Sequence, residues 1–134
     1  MTTRPVVAVV HPGAMGSSVG AALAGRARAV WAAEGRSDAT CERAEADGLE
    51  DLGNEAHLAA EAGIVISVCP PHAAEAQASR FAALGFSGIY VDANAVAPET
   101  ARRIGACVTE AGARFVDGGI VGPPARRPGT TRLW

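Results

Sequence analysis

The first twenty residues contain the feature that most constrains the fold of this chain. Residues 6–10 are apolar and mostly β-branched, which predicts a buried strand. Residues 11–16, His-Pro-Gly-Ala-Met-Gly, then form a glycine turn that leads into a run of small residues. A strand that ends at a glycine turn and a helix N-terminus is typical of a phosphate site. In the G-x-G-x-x-G pattern Gly13 and Gly16 would be the second and third glycines, with His11 at the first position.

Predicted strands and helices alternate along the rest of the chain. Besides residues 5–10, strands are predicted for residues 28–33, 64–68, 88–92 and 114–117, whereas residues 49–52 could form a very short strand or only a turn. Helices are predicted for residues 14–25, 39–47, 55–62, 73–84 and 99–111. Asp38 and Asn54 are the expected N-caps, and Pro98 suits a first helical position. The alternation predicts an α/β, Rossmann-like fold: a doubly wound, mainly parallel sheet with helices on both faces and a ligand site at the carboxyl ends of its strands.

Composition excludes several classes of function. A net charge of −2 gives no electrostatic footprint for nucleic acid or an anionic membrane. No apolar stretch is long enough to cross a bilayer, and the apolar run at the N-terminus is too short for a secretory signal. Three widely spaced cysteines indicate reduced thiols. We therefore expect a cytoplasmic protein that binds neither nucleic acid nor membrane.

The chain contains no lysine, since all twelve of its basic residues are arginines. This excludes lysine-dependent chemistry, such as Schiff-base formation, within these residues. Cys69 and His72 have Cys-x-x-His spacing, but a metal site needs more ligands than these two. We expect no metal site.

Four motifs, in order, carry a resemblance to a known family. They are Gly13-Ala14-Met15-Gly16, Val65-Ile66-Ser67-Val68-Cys69-Pro70-Pro71, Val91-Asp92-Ala93-Asn94-Ala95-Val96-Ala97-Pro98 and Phe115-Val116-Asp117-Gly118-Gly119-Ile120-Val121-Gly122. Together they resemble the N-terminal NAD(P)-binding domain of the 6-phosphogluconate dehydrogenase and β-hydroxyacid dehydrogenase superfamily, and more closely its 6-phosphogluconate dehydrogenase-like branch. The resemblance covers essentially the whole chain.

The resemblance implies a division of the chain at residue 117. Residues 1–117 would be the NAD(P)-binding Rossmann domain. Residues 118–134 would be a Gly- and Pro-rich turn and an extended tail that lead toward a C-terminal helical domain, which is absent from this chain. In the family that domain completes the active site, carries the catalytic lysine and forms the homodimer. We therefore expect no catalytic residue within this chain, and we expect the isolated chain to be inactive.

The resemblance also assigns binding residues. Those expected under the cofactor pyrophosphate are Gly13, Ala14, Met15 and Gly16. Val68, Cys69 and Pro70 would border the adenosine-linked ribose and the nicotinamide, and Asn94 would lie near both nicotinamide and substrate. The expected substrate-binding turn includes Gly119, Val121 and Gly122, with Val121 at a position where the family has serine. His11 and Pro12 could either contact the diphosphate or only close a turn.

The choice of cofactor depends on the loop that follows the second predicted strand. Glu34 would hydrogen-bond the 2′-hydroxyl of an adenosine ribose, which favours NAD. Arg36 and Ser37 would instead donate hydrogen bonds to a 2′-phosphate, which favours NADP. Arg36 is the better aligned of these residues with the family, and its guanidinium suits a phosphate. We expect NADP, with NAD as the alternative.

The function that the resemblance implies is hydride transfer between NADP(H) and a small hydroxyacid-like or related substrate. A valine at position 121 cannot hydrogen-bond a substrate carboxylate through its side chain, which counts against hydroxyacid specificity. Two alternatives stay open. The chain could be a nucleotide-binding or sensing domain without redox chemistry, or it could be the cofactor domain of an enzyme of the imine-reductase kind.

Overall fold

The computed structural model describes residues 3–134, so the first two residues of the predicted Rossmann domain lie outside the described part. Its strands are β1 (Val6–Val10), β2 (Arg28–Trp31), β3 (Glu50–Asp51), β4 (Ile64–Ser67), β5 (Ile89–Asp92), β6 (Arg114–Asp117), β7 (Ile120–Val121) and β8 (Arg132–Leu133). Its helices are α1 (Ala14–Ala22), α2 (Asp38–Ala46), α3 (Glu55–Glu61), α4 (Ala74–Ala83) and α5 (Pro98–Glu110), with a 3₁₀ turn at Pro71–Ala73 before α4. None of the helices in this part of the chain is long and apolar enough to cross a membrane.

Six strands form one parallel sheet in the order β3-β2-β1-β4-β5-β6. The predicted Rossmann-like fold is confirmed. The order reverses between β1 and β4, because the chain continues from β1 outward to β2 and later returns to place β4 on the other side of β1. Ligands of doubly wound sheets bind in the crevice at this reversal, outside the carboxyl ends of the strands.

Strand β1 lies at the centre of the sheet and is covered on both faces. Val7 and Val9 pack on the face that carries α1 and α2, whereas Ala8 and Val10 pack on the face that carries α3, α4 and α5. Burial on both faces explains the nearly continuous apolar run from which the strand was predicted. The predicted placement of helices on both faces is also confirmed.

Several element boundaries differ from the prediction. Helix α1 ends at Ala22 rather than at residue 25, because Leu23 is its C-cap and Gly25 adopts a left-handed conformation with φ +83°. Helix α2 is capped by Ser37, whose hydroxyl accepts a hydrogen bond from the Thr40 N–H at 3.2 Å, so the assignment of Asp38 as N-cap was wrong. Asn54 caps α3 as predicted.

Strand β2 is shorter than predicted, and residues 49–52 contain the short strand β3 rather than only a turn. Pairing between β2 and β3 stops at Trp31 and Asp51. Beyond this point the Ala33 N–H donates to the Asp51 carboxylate at 3.0 Å instead of continuing the ladder. The carboxylate thereby ends β2 and shapes the loop that carries Glu34 and Arg36.

Residues 118–134 return toward the sheet as a β-hairpin. Strands β7 and β8 are antiparallel, and the connection between them packs against α1. The Ala125 N–H donates to the Ser18 hydroxyl at 2.7 Å, and Arg126 makes two hydrogen bonds to Asp47, at 2.6 and 2.9 Å. These contacts hold the hairpin on the domain. That it leads toward a further domain stays a prediction.

Gly13 and Gly16 have different steric environments. A Cβ on Gly16 would collide with the carbonyl oxygen of His11 and would lie 3.2 Å from Val9 Cγ1. Among the described residues, no atom comes within 4 Å of a Cβ built on Gly13, whose φ of −67° is accessible to any residue. The fold therefore requires glycine at position 16 but not at position 13.

We expect Gly16→Ala to lower the free energy of unfolding by about 1–3 kcal/mol, because α1 must move away from β1. Gly13→Ala is the matched control and should cost less than about 1 kcal/mol, since alanine is only a weaker N-cap than glycine. Urea denaturation of both variants measures the difference. Equal losses would contradict the assignment of Gly16 as the packing glycine.

Candidate functional site

The loops that follow β1 and β4 are joined where the strand order reverses. The His11 N–H donates to the Val68 carbonyl at 3.0 Å, and the Val68 N–H donates to the Val10 carbonyl at 2.7 Å. These hydrogen bonds extend the sheet by one step beyond the strands. They fix the start of the glycine loop relative to the predicted site segment Val68, Cys69 and Pro70.

The glycine loop delivers the chain into α1. Gly13 is the N-cap, its N–H donates to the His11 carbonyl at 2.9 Å, and Ala14 and Met15 form the first turn. The first N–H groups of a helix have no acceptor within the helix, and the first turn of α1 contains no acidic side chain. Arg43 of α2 donates to the Pro12 carbonyl at 3.3 Å, a loop contact that the sequence analysis missed. The helix terminus can therefore bind an anion.

A cleft of about 470 Å³ opens beside this loop. It is lined by Val9, His11, Pro12, Ala32, Glu34, Arg36, Asn54, Glu55, Ala56, Arg80, Ala83 and Leu84. The structure thus brings together four of the predicted site residues, which are His11, Pro12, Glu34 and Arg36. The wall formed by α3 and α4 was missed, because nothing in a helical pattern tells which surface side chains border a cleft; only Asn54 gave a signal, as an N-cap.

His11 and Arg36 are in direct contact within the cleft. Arg36 Nη2 lies 2.8 Å from His11 Nε2. Because a guanidinium only donates, Nε2 is the acceptor and the neutral ring carries its proton on Nδ1. Burial and the nearby Arg36 charge lower the pKa of His11 from 6.5 to about 4. The ring is therefore neutral at physiological pH.

Not every charged side chain of the cleft is paired with a side chain of opposite charge. Arg80 and Glu55 form an ion pair at 2.9 Å. Arg36 has no carboxylate within ion-pair distance among residues 3–134, and its side-chain contact is with the neutral His11. The Arg36 guanidinium is exposed at the edge of the cleft. Its charge is available to an anionic ligand.

Asn94 has a buried side chain whose hydrogen-bonding groups face the protein. Its Oδ1 accepts from the Cys69 N–H at 2.8 Å, and its Nδ2 donates to the Ser67 hydroxyl at 3.0 Å. Asp92 orients the same loop, because one of its carboxylate oxygens accepts from the Asn94 N–H at 2.9 Å. Asn94 thus joins the loops after β4 and β5. Burial raises the pKa of the Cys69 thiol, which is therefore protonated at neutral pH.

Gln77 connects the same region to the end of β1. Its amide nitrogen donates to the Val10 carbonyl at 3.0 Å and to the Ser67 hydroxyl at 2.6 Å, and the side chain is fully buried. Tyr90 and Asp92 lie on the same face of the sheet, and burial raises the pKa of both. This polar cluster lies directly beneath the loops of the site. Nothing in the sequence predicts this cluster, since a single glutamine in a helix gives no signal.

The remaining predicted residues lie outside the cleft. Ser37 uses its hydroxyl as the cap of α2. In the hairpin, Gly119 exchanges two backbone hydrogen bonds with Trp134, and Gly122 has φ +121°, where a Cβ would collide with the Thr130 carbonyl. Val121 is 62% exposed. The described residues contain no group of three or more side chains suited to hold a metal ion.

We expect Gln77→Leu to lower the free energy of unfolding by about 1–3 kcal/mol, because it removes the donor of two buried hydrogen bonds, one to the Val10 carbonyl and one to the Ser67 hydroxyl. Urea denaturation of the isolated chain measures this loss. Glu42→Leu on α2 is the control, because it places a leucine at an exposed helical position. It should change the free energy of unfolding by less than about 0.5 kcal/mol. A Gln77→Leu protein as stable as the wild type would contradict the role of the amide.

We expect the His11 ring to make the protein less stable as the pH falls. Between pH 6.5 and pH 4 the unfolded chain binds a proton at His11 that the folded protein does not, so the free energy of unfolding rises with pH across this window. From pH 7 to pH 4.5 the wild type should lose about 1 kcal/mol more than His11→Gln, which does not titrate, because solvent around the partly exposed ring screens its interactions. Denaturation at the two pH values measures this, and equal losses in both proteins would contradict it.

Comparison with known proteins places this geometry in a family. The chain matches the model of the NAD binding domain of 6-phosphogluconate dehydrogenase over residues 6–129. A search of curated proteins returns no match.

Solved structures show the same fold. The protein MTH1747, described as of unknown function and structurally similar to 3-hydroxyacid dehydrogenases, is 31% identical with a TM-score of 0.80, over 98% of this chain and 48% of that one. The 3-hydroxyisobutyrate dehydrogenase of Mycobacterium tuberculosis is 21% identical with a TM-score of 0.77, over 90% of this chain and 42% of that one. An imine reductase from Pseudomonas sp. is also 21% identical with a TM-score of 0.77, over 95% of this chain and 45% of that one.

This chain therefore spans less than half the length of each of these structures. The match to the family model extends from β1, through the glycine loop and the cleft, to the hairpin connection. The chain belongs to the family of the NAD-binding domain of 6-phosphogluconate dehydrogenase.

Proposed function

We propose that this chain is the cofactor domain of an oxidoreductase that transfers hydride between NADP(H) and a small hydroxyacid-like or related substrate. The observation that carries the proposal is the arrangement of the glycine loop beside the cleft. Gly13 leaves open space in front of the α1 N-terminus, although neither its backbone conformation nor its neighbours require glycine. A bound pyrophosphate explains this glycine, because it would need the backbone to approach closely.

The cleft suits the adenosine half of the dinucleotide. It adjoins the loop at His11 and Pro12, and it ends at the side chains of Glu34 and Arg36 after β2. In doubly wound sheets the residues after the second strand contact the adenosine ribose. Val68, Cys69 and Pro70 after β4 would border the rest of the cofactor, since hydrogen bonds tie this segment to the glycine loop.

We propose NADP as the preferred cofactor because of the charge on Arg36. Its guanidinium is exposed, contacts the neutral His11 and has no carboxylate partner in residues 3–134. A guanidinium can donate two parallel hydrogen bonds to a phosphate. Glu34 in the same cleft opposes this preference and accounts for NAD as the alternative cofactor.

The bound cofactor would supply the hydride, and the residues of this chain would hold and orient it. Neither Cys69 nor Asn94 is suited to move a proton at neutral pH, because the Cys69 thiol has a raised pKa and the Asn94 amide is engaged by Cys69 and Ser67. We propose that the isolated chain binds dinucleotide without turnover. Asn94, Gly119, Val121 and Gly122 are the proposed substrate-side residues.

A second candidate is the reduction of an imine. The observation that favours it is Val121, whose exposed apolar side chain stands where the resembled family has a serine for the substrate carboxylate. A valine suits a substrate without a carboxylate. Spectrophotometric assays of a longer protein containing this domain, with hydroxyacids and with cyclic imines, would separate the two: NADPH oxidation with imines alone would support the second candidate.

Calorimetric titration of the isolated chain tests the cofactor. We expect NADPH to bind more tightly than NADH, and we expect Arg36→Ala to weaken NADPH binding by about tenfold or more through loss of a charged hydrogen bond. Arg114→Ala is the matched control, since it removes the same charge from the exposed β6 at the far edge of the sheet. Absence of binding of both dinucleotides at millimolar concentration would contradict the proposal, and tighter binding of NADH would contradict the choice of NADP.

A further inference from the structure

We propose that His11 is a positioning residue that holds the Arg36 guanidinium for the 2′-phosphate of NADP and thereby sets cofactor selectivity. His11 stands where the dinucleotide fingerprint has its first glycine, so selectivity would be built partly into the glycine loop itself. The inference rests on the proposed binding of the dinucleotide in the cleft. It assigns to the imidazole a role distinct from contact with the pyrophosphate.

The contact uses only part of the hydrogen-bonding capacity of Arg36. One N–H of Nη2 points to His11 Nε2 at 2.8 Å, and the other donors of the guanidinium are left for a ligand. The loop that carries Arg36 is itself fixed, because the Arg36 N–H donates to the Ala33 carbonyl at 2.9 Å and Gly35 adopts φ +76°. The backbone thus places the side chain, and the imidazole restrains its far end.

His11 is a rigid support for this contact. Its N–H is bound to the Val68 carbonyl and its carbonyl accepts from the Gly13 N–H, so its backbone is held on both sides. An exposed arginine otherwise loses rotamer freedom when it binds a phosphate, which weakens the binding. A guanidinium restrained beforehand loses less. A glycine at position 11 would offer no acceptor for it.

The chemistry of an imidazole suits this role better than that of a carboxylate. A carboxylate would hold the guanidinium but would also neutralise its charge and repel a phosphate. His11 accepts the hydrogen bond while uncharged, because burial and Arg36 keep its pKa near 4. The other charged groups that act on His11 are Glu55 and Arg80, which pair with each other at 2.9 Å. The positive charge of Arg36 therefore stays available.

A double-mutant cycle of His11 and Arg36, in which cofactor selectivity is measured, tests the inference. The quantity measured is the ratio of the Kd for NADH to the Kd for NADPH in the isolated chain. We expect His11→Leu to lower this ratio by about fivefold, because the guanidinium loses its restraint. His11→Gln should keep more of the wild-type ratio, since its amide oxygen can accept from Arg36. In the Arg36→Ala background, His11→Leu should change the ratio by less than about twofold.

Nitrogen NMR of the His11 ring in the ligand-free protein gives a readout that does not depend on the cofactor. We expect the wild-type ring to carry its proton on Nδ1 and to have a lowered pKa. Arg36→Ala should raise that pKa, because a neighbouring positive charge is removed. Thermal unfolding of each variant confirms that it is folded.

Three results would overturn the inference. Parallel loss of NADPH and NADH binding in His11→Leu would show that the ring serves the pyrophosphate loop. The same change of ratio with and without Arg36 would show that the two side chains are uncoupled, and an unaltered His11 pKa in Arg36→Ala would deny the contact itself. Failure of the proposed function looks different, since the wild type would then bind neither dinucleotide.

Discussion

The close approach of α1 to the end of β1 is the constraint on which the site depends. The helix lies against the His11 carbonyl at the point where Gly16 has no Cβ, and this contact sets the height of the helix N-terminus above the sheet. The same carbonyl accepts from the Gly13 N–H, so the turn is closed from within. The helix start, the cleft and the His11 ring are consequently positioned together. A displacement of α1 would alter all three.

The loops around this point are supported from below by a buried polar cluster. Gln77 binds the Val10 carbonyl and the Ser67 hydroxyl, and Ser67 in turn accepts from Asn94. The ends of β1, β4 and the loop after β5 are thereby joined by side chains as well as by the sheet. Gln77 Oε1, the Tyr90 hydroxyl and Asp92 Oδ2 are buried in the same cluster without a hydrogen-bond partner among the described residues, so it is the bonds made by Gln77 Nε2 and Asn94 that hold these loops together.

The succession of strand, glycine turn and helix could be predicted from the sequence because the pattern is local. The apolar run at residues 6–10 and the glycines at 13 and 16 follow one another along the chain, so the whole pattern lies within one short stretch of the sequence. The same holds for the N-cap at Asn54. The α2 cap was misassigned by one residue, because Ser37 and Asp38 are both good caps and only the backbone angles of the loop choose between them.

The wall of the cleft could not be read from the sequence. Arg80 and Glu55 are ordinary helix residues until α3 and α4 pack on the same face of the sheet and bring their side chains together. Ser37 and Arg36 are adjacent in the sequence but have different roles that the sequence does not distinguish. Ser37 caps α2, whereas Arg36 borders the cleft. Packing between distant elements decides such roles.

The sequence by itself determined the alternation of strands and helices, the glycine loop and hence the class of fold, because these follow from periodicity and from backbone freedom at single positions. Only the tertiary structure decided that His11 meets Arg36, that Asn94 turns inward and that Gln77 reaches β1. His11 and Arg36 are 25 residues apart in the sequence, as are Asn94 and Cys69, and Gln77 is 67 residues from Val10. Contacts over such separations depend on how the chain crosses over the sheet, which no local pattern records.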